Sequence, residues 1–225
     1  VLVPSARAGT WFAVWSFLRG LTSCTFLMLS GVVFTIATLR HWPLHLELGM
    51  AVVGRLRRFT LFLVLGYALH FPVPRIVRLW QASDERWRSF LAVDILQLVA
   101  ITLIGLQLLV LIARTPRRYE LAAAAACALA VVLTPMMWAI DWSGILPLAA
   151  ASYLSPATGS QFPLFPWSGY MLFGVLVGMA YLRAGPTALA RFANFQLLLG
   201  GAAMVALAFL LAQVRLQPFG PTDFW

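Results

Sequence analysis

Charged residues are scarce in this chain, and lysine is missing altogether. Only 10% of the 225 residues are charged, with seven acidic residues against 16 arginines, whereas 62% are hydrophobic. The mean hydropathy is +0.89, while an ordinary soluble domain carries about 25% charged residues. The composition therefore excludes an ordinary soluble domain and predicts an integral membrane protein.

Neither the net charge of +9 nor the two cysteines indicate a specific ligand. The arginines lie between hydrophobic runs and form no dense basic face, which is typical of topology signals and argues against nucleic acid as a partner. Cys24 and Cys127 lie inside hydrophobic runs, which argues against a disulfide framework or a zinc site. The sequence also lacks a glycine-rich phosphate loop and the CxxC, HExxH and GxSxG motifs. We expect the lipid bilayer as the main partner, and no bound metal.

Six hydrophobic segments approach the length of about 20 residues that a transmembrane helix needs. They lie near residues 21–39, 58–72, 91–113, 120–140, 167–183 and 192–213. We therefore predict an all-α integral membrane bundle of about six transmembrane helices, forming one domain over residues 1–225. The start at Val1 and the end at Trp225 favour a fragment of a longer chain.

The placement of the arginines predicts the orientation of the bundle. Arginines concentrate in the first, third and fifth connections, which are therefore predicted to be cytoplasmic: Arg40, Arg55, Arg57, Arg58, Arg114, Arg117, Arg118, Arg183 and Arg191. The long connection 141–166 has no arginine and is predicted to be the non-cytoplasmic loop. The second connection also carries four arginines, against this rule. We place it on the non-cytoplasmic side, because the other loops agree on the opposite assignment. In the first connection, HWPLHLELGM favours a segment on the membrane surface over a metal pair of His41 and His45.

Two ionisable residues lie at the outer ends of neighbouring spans. An ionised side chain costs at least about 2.5 kcal/mol at the centre of a transmembrane helix, so each one calls for an explanation. His70 ends the second span in GYALHF, and Asp94 lies about one turn into the third span in VDILQ. Their similar depth predicts a catalytic pair in which the carboxylate orients the imidazole and raises its basicity. In the structural alternative, Asp94 caps the third helix or pairs with Arg86 or Arg88, and His70 is an interfacial anchor.

Four further side chains are candidates for binding a substrate. Gln97 follows Asp94 by three residues and so lies on the same helix face. Arg19 precedes a hydrophobic span and either binds an anionic group or snorkels to the surface. Trp167 and Tyr170 follow the long outer loop and are of the type that stacks on sugar rings, although they also suit an interfacial aromatic belt.

Four hydrophobic blocks of the chain resemble a known family. They are FLMLSGVVFTIATLR (26–40), RLRRFTLFLVLGYALHF (55–71), FLAVDILQLVAITLI (90–104) and FPLFPWSGYMLFGVLVG (162–178). In this order they resemble the bacterial relatives of heparan-alpha-glucosaminide N-acetyltransferase, which are multi-spanning membrane acyltransferases. The resemblance covers most of residues 20–183.

The resemblance implies acetyl transfer from cytoplasmic acetyl-CoA to a sugar amine or hydroxyl on the far side of a bacterial inner membrane. It implies that the segment from Asp94 to Gln97 lines the central cavity and that FPWSGY opens a helix at its outer face. Arg57 and Arg58 then become candidates for binding the phosphates of coenzyme A. Arginines at a cytoplasmic helix end are also an ordinary topology signal.

One part of the family pattern is missing. The acid/base histidine of the family is expected before FLMLSG, where this sequence has Thr10, Trp11 and Trp15 and no histidine. Either an upstream helix outside this sequence supplies that histidine, or this member has lost the activity and kept the bundle. The second case leads to another hypothesis, a non-catalytic subunit that reuses the bundle as a scaffold with other membrane subunits or as a homodimer. In that setting His70 is a candidate ligand for a pigment or haem. A transporter is the least favoured class, because no internal repeat is visible.

Overall fold

The computed structural model describes residues 10–71, 83–184, 199, 201 and 202, and before position 21 it describes only the side chains of Phe12 and Trp15. All the secondary structure in these residues is helical, which confirms the all-α fold class. The α-helices are α1 (Thr10–Leu39), α2 (Met50–Leu69), α3 (Asp84–Leu91), α4 (Ile95–Ala113), α5 (Pro116–Val132), α6 (Thr134–Ala139), α7 (Leu148–Leu154) and α8 (Leu164–Ala184). Short 3₁₀ turns lie at Trp42–His45, Trp142–Gly144 and Pro156–Thr158.

Three segments are long and apolar enough to cross a membrane within the described part of the chain. They are Leu21–Leu39, Ile95–Ala113 and Leu164–Ala184, in α1, α4 and α8. α2 has sufficient length but carries three arginines among its first nine residues, and α5 is only 17 residues long before α6 continues it. The predicted sixth span, 192–213, lies mainly outside the described residues, so the number of six remains a prediction.

Two helix bounds differ from the predicted spans. α2 begins at Met50, eight residues before position 58, because the chain leaves an extended conformation at Gly49 and then runs through the arginines as helix. The predicted span 120–140 contains a break at Leu133, where α6 restarts with Pro135 in its first turn. Proline has no N–H to donate to the preceding turn, so a new helix begins there.

The segment between α1 and α2 combines exposed leucines with a buried histidine. Leu44, Leu48 and Met50 are 61%, 71% and 90% exposed, as a segment lying on a membrane surface requires. His45 is only 5% exposed, whereas His41 is exposed. The two histidines therefore do not share one open face, and the described residues contain no group of three metal-binding side chains.

α1 and α8 pack backbone to backbone. A Cβ atom on Gly31 would lie 2.0 Å from the carbonyl oxygen of Met171, and one on Gly174 would lie 2.0 Å from that of Met28. Gly178 faces α1 four residues after Gly174. Glycines at this spacing allow close helix contact in membranes, where van der Waals packing drives association. This pair of helices forms one closely packed wall of the bundle.

α2 packs against α4 through one face. The buried residues of α2 recur every seven positions, or about two turns: Val52, Phe59 and Gly66. Gly66 touches Gln97 near one end of the interface, and Arg55 reaches Gln107 near the other. The two helices therefore run antiparallel. We call the arginine-rich end the inner end, because it is the predicted cytoplasmic end, and the opposite end the outer end.

Candidate functional site

The predicted catalytic pair meets at the outer end of the α2–α4 interface. His70 is the C-cap of α2, and Asp94 is the N-cap of α4. Nε2 of His70 lies 3.8 Å from Oδ2 of Asp94, and the two side chains are 39% and 37% exposed. This distance is too long for a hydrogen bond but allows an ion pair. We call His70 and Asp94, with Gln97 behind them, the outer polar centre.

Asp94 caps α4 and faces His70 at the same time. Its Oδ1 accepts a hydrogen bond from the N–H of Ile95 at 2.7 Å, and its own N–H donates to Oε1 of Gln97 at 3.2 Å. This is a capping box, the arrangement that satisfies free N–H groups at a helix start. Asp94 therefore begins α4 instead of lying one turn inside it. Of the ion pairs in the described residues, none joins Asp94 to Arg86 or Arg88.

The backbone of α2 offers a hydrogen-bond acceptor to the ring of His70. Nδ1 of His70 lies 3.2 Å from the carbonyl oxygen of Gly66. A carbonyl only accepts hydrogen bonds, so Nδ1 must carry the proton and donate it. In the neutral imidazole, Nε2 then has a free lone pair on the side that faces Asp94. The carbonyl of Gly66 therefore favours the tautomer with the proton on Nδ1, and the part of the carboxylate in orienting the imidazole stays a prediction.

Gln97 lies behind the pair and is fully buried. Its side chain packs on Gly66, where a Cβ atom would come within 2.8 Å of Cδ of Gln97. Its Oε1 holds the N–H of Asp94, while its Nε2 has no hydrogen-bond partner among the described residues. Gln97 thus contacts both the cap that holds Asp94 and the residue that orients His70. These contacts describe a positioning residue more than a surface for substrate.

A cavity of about 420 Å³ opens at the outer polar centre. Its walls come from the end of α2, from the junction between α3 and α4, and from the last part of the outer loop. Besides His70 and Asp94, its polar lining includes Arg88, Ser89, Thr158 and Gln161. Hydroxyl, amide and guanidinium groups surround the pair, so the cavity suits a small polar acceptor.

The outer loop is tied to the start of α4 through Val93. The N–H of Val93 donates to Oγ of Ser160 at 3.0 Å, and its carbonyl accepts from the N–H groups of Gln161 and Phe162, both at 3.1 Å. Val93 directly precedes Asp94, so this part of the predicted loop 141–166 forms a wall of the site. Sequence reasoning missed this contact, because it depends on how the loop folds back.

The predicted aromatic residues lie beside the cavity and not in its lining. Trp167 packs edge-on against Phe162 with ring centroids 4.9 Å apart, and lies 5.9 Å from Tyr170. Close by, the backbone of Phe165 departs from helical geometry, and Nε1 of Trp138 donates to its carbonyl at 2.9 Å. The aromatic group therefore surrounds an opened turn of α8. Stacking of Trp167 and Tyr170 on a sugar stays a prediction.

A larger cavity of about 1210 Å³ runs between α1 and α2, and we call it the inner groove. Its basic residues are Arg40, His41, His45, Arg55 and Arg58, and none of the described residues that line it is acidic. Most of the remaining lining is apolar, including Phe26, Leu29, Val33, Phe59, Phe62, Val99 and Leu103. The groove therefore combines a cationic mouth with a long apolar body.

Only one of the two arginines that were predicted to bind coenzyme A lines the inner groove. Arg58 lines it, whereas Arg57 is exposed and does not, because successive residues point about 100° apart on a helix. Arg55 lines it instead. Nη1 of Arg55 donates to Oγ1 of Thr38 at 2.7 Å and lies 3.5 Å from Oε1 of Gln107. The amide inside an apolar span was the sequence signal that could have identified this cluster.

His45 completes the inner cluster through its backbone and its burial. Its carbonyl accepts a hydrogen bond from Nε2 of Gln107 at 3.4 Å, and its Nδ1 has no partner among the described residues. Burial lowers the pKa of His45, and the nearby charges of Arg55 and His41 lower it further. The backbone of Arg19 belongs to α1, but the structure does not describe its side chain.

The comparisons with known proteins agree with the resemblance seen in the sequence. The family model described as Heparan-alpha-glucosaminide N-acetyltransferase, catalytic, matches residues 4–214. Searches of curated proteins and of solved structures found no match. The matched range covers most of the chain and includes α1 to α8, the outer polar centre and the inner groove. The chain therefore belongs to the family of the heparan-alpha-glucosaminide N-acetyltransferase catalytic domain, and it is an acetyltransferase-like integral membrane protein.

Proposed function

We propose that this protein transfers an acetyl group from cytoplasmic acetyl-CoA to a sugar amine or hydroxyl on the far side of a bacterial inner membrane. The observation that carries the proposal is the geometry of His70. Its Nδ1 proton is held by the carbonyl of Gly66, and its Nε2 lies beside Asp94 in a polar cavity. This leaves one basic nitrogen free at the place where an acceptor fits.

In this mechanism His70 is the general base and Asp94 stabilises the charge that forms on it. The amine nitrogen or hydroxyl oxygen of the acceptor attacks the acyl carbon while Nε2 of His70 removes its proton. The imidazolium then gives a proton to coenzyme A as it leaves as the thiol. The carboxylate of Asp94 lies 3.8 Å from Nε2 and therefore faces the positive charge that forms on the ring during transfer. Gln97 does not touch the acceptor in this proposal, but holds Asp94 and supports Gly66.

Acetyl-CoA would supply the activated acyl group, and the residues of the inner groove fit such a donor. Guanidinium groups bind phosphates well, and Arg40, Arg55 and Arg58 lie together at the groove's cationic mouth. The groove extends to Val99, which follows Asp94 by five residues, or about 7.5 Å along α4. Phosphates at the mouth are therefore compatible with an acyl end near the outer polar centre. Arg57, outside the groove, would act only through long-range attraction.

The aromatic pair Trp167 and Tyr170 and the cation Arg19 complete the proposed substrate contacts. The aromatic rings lie at the opened turn of α8 and are linked to the cavity wall through Phe162. A sugar that extends beyond the cavity would reach them. Arg19 remains a candidate for an anionic group of the acceptor.

A second candidate function is a non-catalytic subunit within a larger membrane assembly or a homodimer. The absence of a histidine before FLMLSG favours it, because the family's acid/base residue is expected there. In this alternative the bundle serves as a scaffold and the outer polar centre has a structural task.

An acetyl-transfer assay separates the two functions. Membranes that contain the protein are given radiolabelled acetyl-CoA and glucosamine, and the labelled product is measured. Loss of a general base costs about 10²- to 10⁴-fold, so we expect His70→Ala to lose at least 100-fold. Asp94→Asn should lose less. Asp141→Asn is the matched control, because Asp141 also caps a short helix but lies outside the cavity.

Equal transfer by wild type, His70→Ala and Asp94→Asn would remove the outer polar centre from the mechanism. Absence of transfer by the wild-type protein, together with purification in a fixed ratio with another membrane protein, would establish the scaffold function instead.

A further inference from the structure

A second cationic cavity, of about 770 Å³, lies at the inner ends of α1, α5 and α8, and we call it the inner cleft. Its charged lining residues are Arg40, Arg117, Glu120 and Arg183. The remaining lining is apolar and includes Leu121, Met179 and Leu182. The cleft is distinct from the inner groove, although Arg40 lines both.

The charges of the inner cleft do not balance. Arg183 forms an ion pair with Glu120, which is the only acid in the lining that the structure describes. Arg40 and Arg117 form no ion pair with any described residue. The cleft therefore holds two positive charges without a partner, beside apolar surface.

The start of α5 increases this imbalance. α5 begins after Thr115, and its first turn contains Arg117 and Arg118 but no acid. The positive end of a helix dipole normally favours acidic residues, so two cations here repel the helix end. A negatively charged group in the cleft would offset this repulsion.

We propose that the inner cleft binds one anionic phospholipid from the cytoplasmic leaflet. Its phosphate lies between Arg40 and Arg117, and its acyl chains lie against Leu121, Met179 and Leu182. A free phosphate would satisfy the arginines but would leave the apolar lining uncovered, whereas a lipid matches both parts. The arginine distribution places these helix ends at the cytoplasmic surface, where anionic lipid headgroups lie. The lipid site shares Arg40 with the inner groove, but Arg117 does not line that groove, so a variant at Arg117 tests the lipid site separately from acetyl transfer.

The test compares two neighbouring arginines. Both arginines are exposed, but Arg117 lines the cleft, whereas Arg118 at the next position of α5 does not. The intact protein is placed in phosphatidylcholine nanodiscs, and binding of added phosphatidylglycerol is measured by native mass spectrometry. Each arginine near a membrane surface contributes about fivefold to the binding of an anionic lipid. We expect Arg117→Gln to weaken binding about fivefold, Arg117→Lys to retain most of it, and Arg118→Gln to leave it unchanged.

Three results would overturn the proposal. Equal weakening by Arg117→Gln and Arg118→Gln would mean that the arginines attract lipid headgroups without a defined site. Unchanged binding in all variants would remove Arg117 from any such site. Stabilisation against heat by inorganic phosphate that equals the effect of phosphatidylglycerol, and is lost in Arg117→Gln, would assign the cleft to a soluble phosphate compound. A melting curve of each variant in phosphatidylcholine alone confirms that it is folded.

Discussion

The α2–α4 interface has a polar cluster at each end, and the two clusters treat their ionisable residues differently. At the outer end, Gln97 contacts Asp94 and Gly66 but not the ring of His70. Nε2 of His70 therefore stays open to a cavity. At the inner end, Gln107 and Thr38 contact the guanidinium of Arg55 directly. The outer cluster orients a group that can gain and lose a proton, while the inner cluster holds a permanent charge in place.

An apolar layer separates these clusters. Gln97 and Gln107 are ten residues apart, or about 15 Å along α4, and both are fully buried. Phe59 of α2 and Leu103 and Leu106 of α4 are buried between the two ends. An ionised group in this layer would be costly, so each polar cluster is confined to its own side of the membrane. Under the proposed function, one helix pair would thus bind the charged donor at one end and transfer the proton at the other.

Among changes that keep both His70 and Asp94, the largest expected effect comes from adding a methyl group to Gly66. In Gly66→Ala the new Cβ would come within 2.8 Å of the buried Gln97 side chain. The displaced amide would shift Asp94, and the altered turn would shift His70. A misplacement of about 1 Å costs about 100-fold in rate, and overpacking costs about 1–3 kcal/mol of stability. The acetyl-transfer rate and the melting midpoint would be measured in parallel.

Gly54→Ala is the control for this change. Gly54 lies in the same helix, and a Cβ atom there would meet nothing within 4 Å. We expect normal transfer and equal or slightly higher stability, because alanine favours the helix over glycine. A Gly66→Ala protein as active as Gly54→Ala would show that the outer polar centre does not depend on this contact.

A substitution at the inner end should weaken binding of acetyl-CoA and leave the rate of acetyl transfer from the bound donor unchanged. We expect Arg55→Gln to raise the KM for acetyl-CoA about tenfold with little change in kcat, because a charged hydrogen bond contributes about 1.5–3 kcal/mol. Arg57→Gln is the control, because it removes the same charge two residues away at a position that does not line the inner groove. A fall in kcat without a change in KM for Arg55→Gln would contradict the division between the two ends.

Gln97→Leu separates positioning from stability. The substitution removes the hydrogen bond to the N–H of Asp94, but it also removes a buried Nε2 that has no partner in the described residues. These effects oppose each other, so we expect stability to change by less than about 1 kcal/mol. The loss of support for Asp94 and Gly66 should still lower kcat about tenfold, with KM unchanged. Equal kcat in both proteins would show that Gln97 is only a packing residue.

The smallest expected effect is a pH dependence at the inner end. The pKa of His45 is lowered in the folded protein, so the unfolded chain binds the proton more tightly. The stability that depends on neutral His45 is therefore complete above about pH 6.5, the ordinary value for histidine, and is lost as the pH falls below it. His45→Gln should weaken this fall in the melting midpoint. An identical pH profile in both proteins would rule out this role.

Hydrophobic runs and residue depth were readable from the sequence, and they gave the most useful predictions. Helix ends lie near the membrane surfaces, so His70 at the end of one span and Asp94 at the start of the next had to be close in depth. Their contact follows when the two helices are neighbours. The cap that the structural alternative assigned to Asp94 is present, and it leaves the second carboxylate oxygen facing His70, so capping does not exclude the proposed catalytic role.

Details that depend on helix rotation and backbone geometry could not be read from the sequence. The side of α2 that faces the inner groove is set by packing on α4, so Arg55 and Arg58 line it and Arg57 does not. Likewise, the carbonyl of Gly66 orients His70 only because the last turn of α2 ends in a particular conformation. Composition and periodicity contain no information on either point.

The tautomer of His70 tests the central claim most directly. Nitrogen NMR of histidine-labelled protein distinguishes a proton on Nδ1 from one on Nε2, and the His70→Gln variant identifies the signal among the three histidines. The account predicts that neutral His70 carries its proton on Nδ1, held by the carbonyl of Gly66. A proton on Nε2 would leave no free base facing the cavity and would contradict the account.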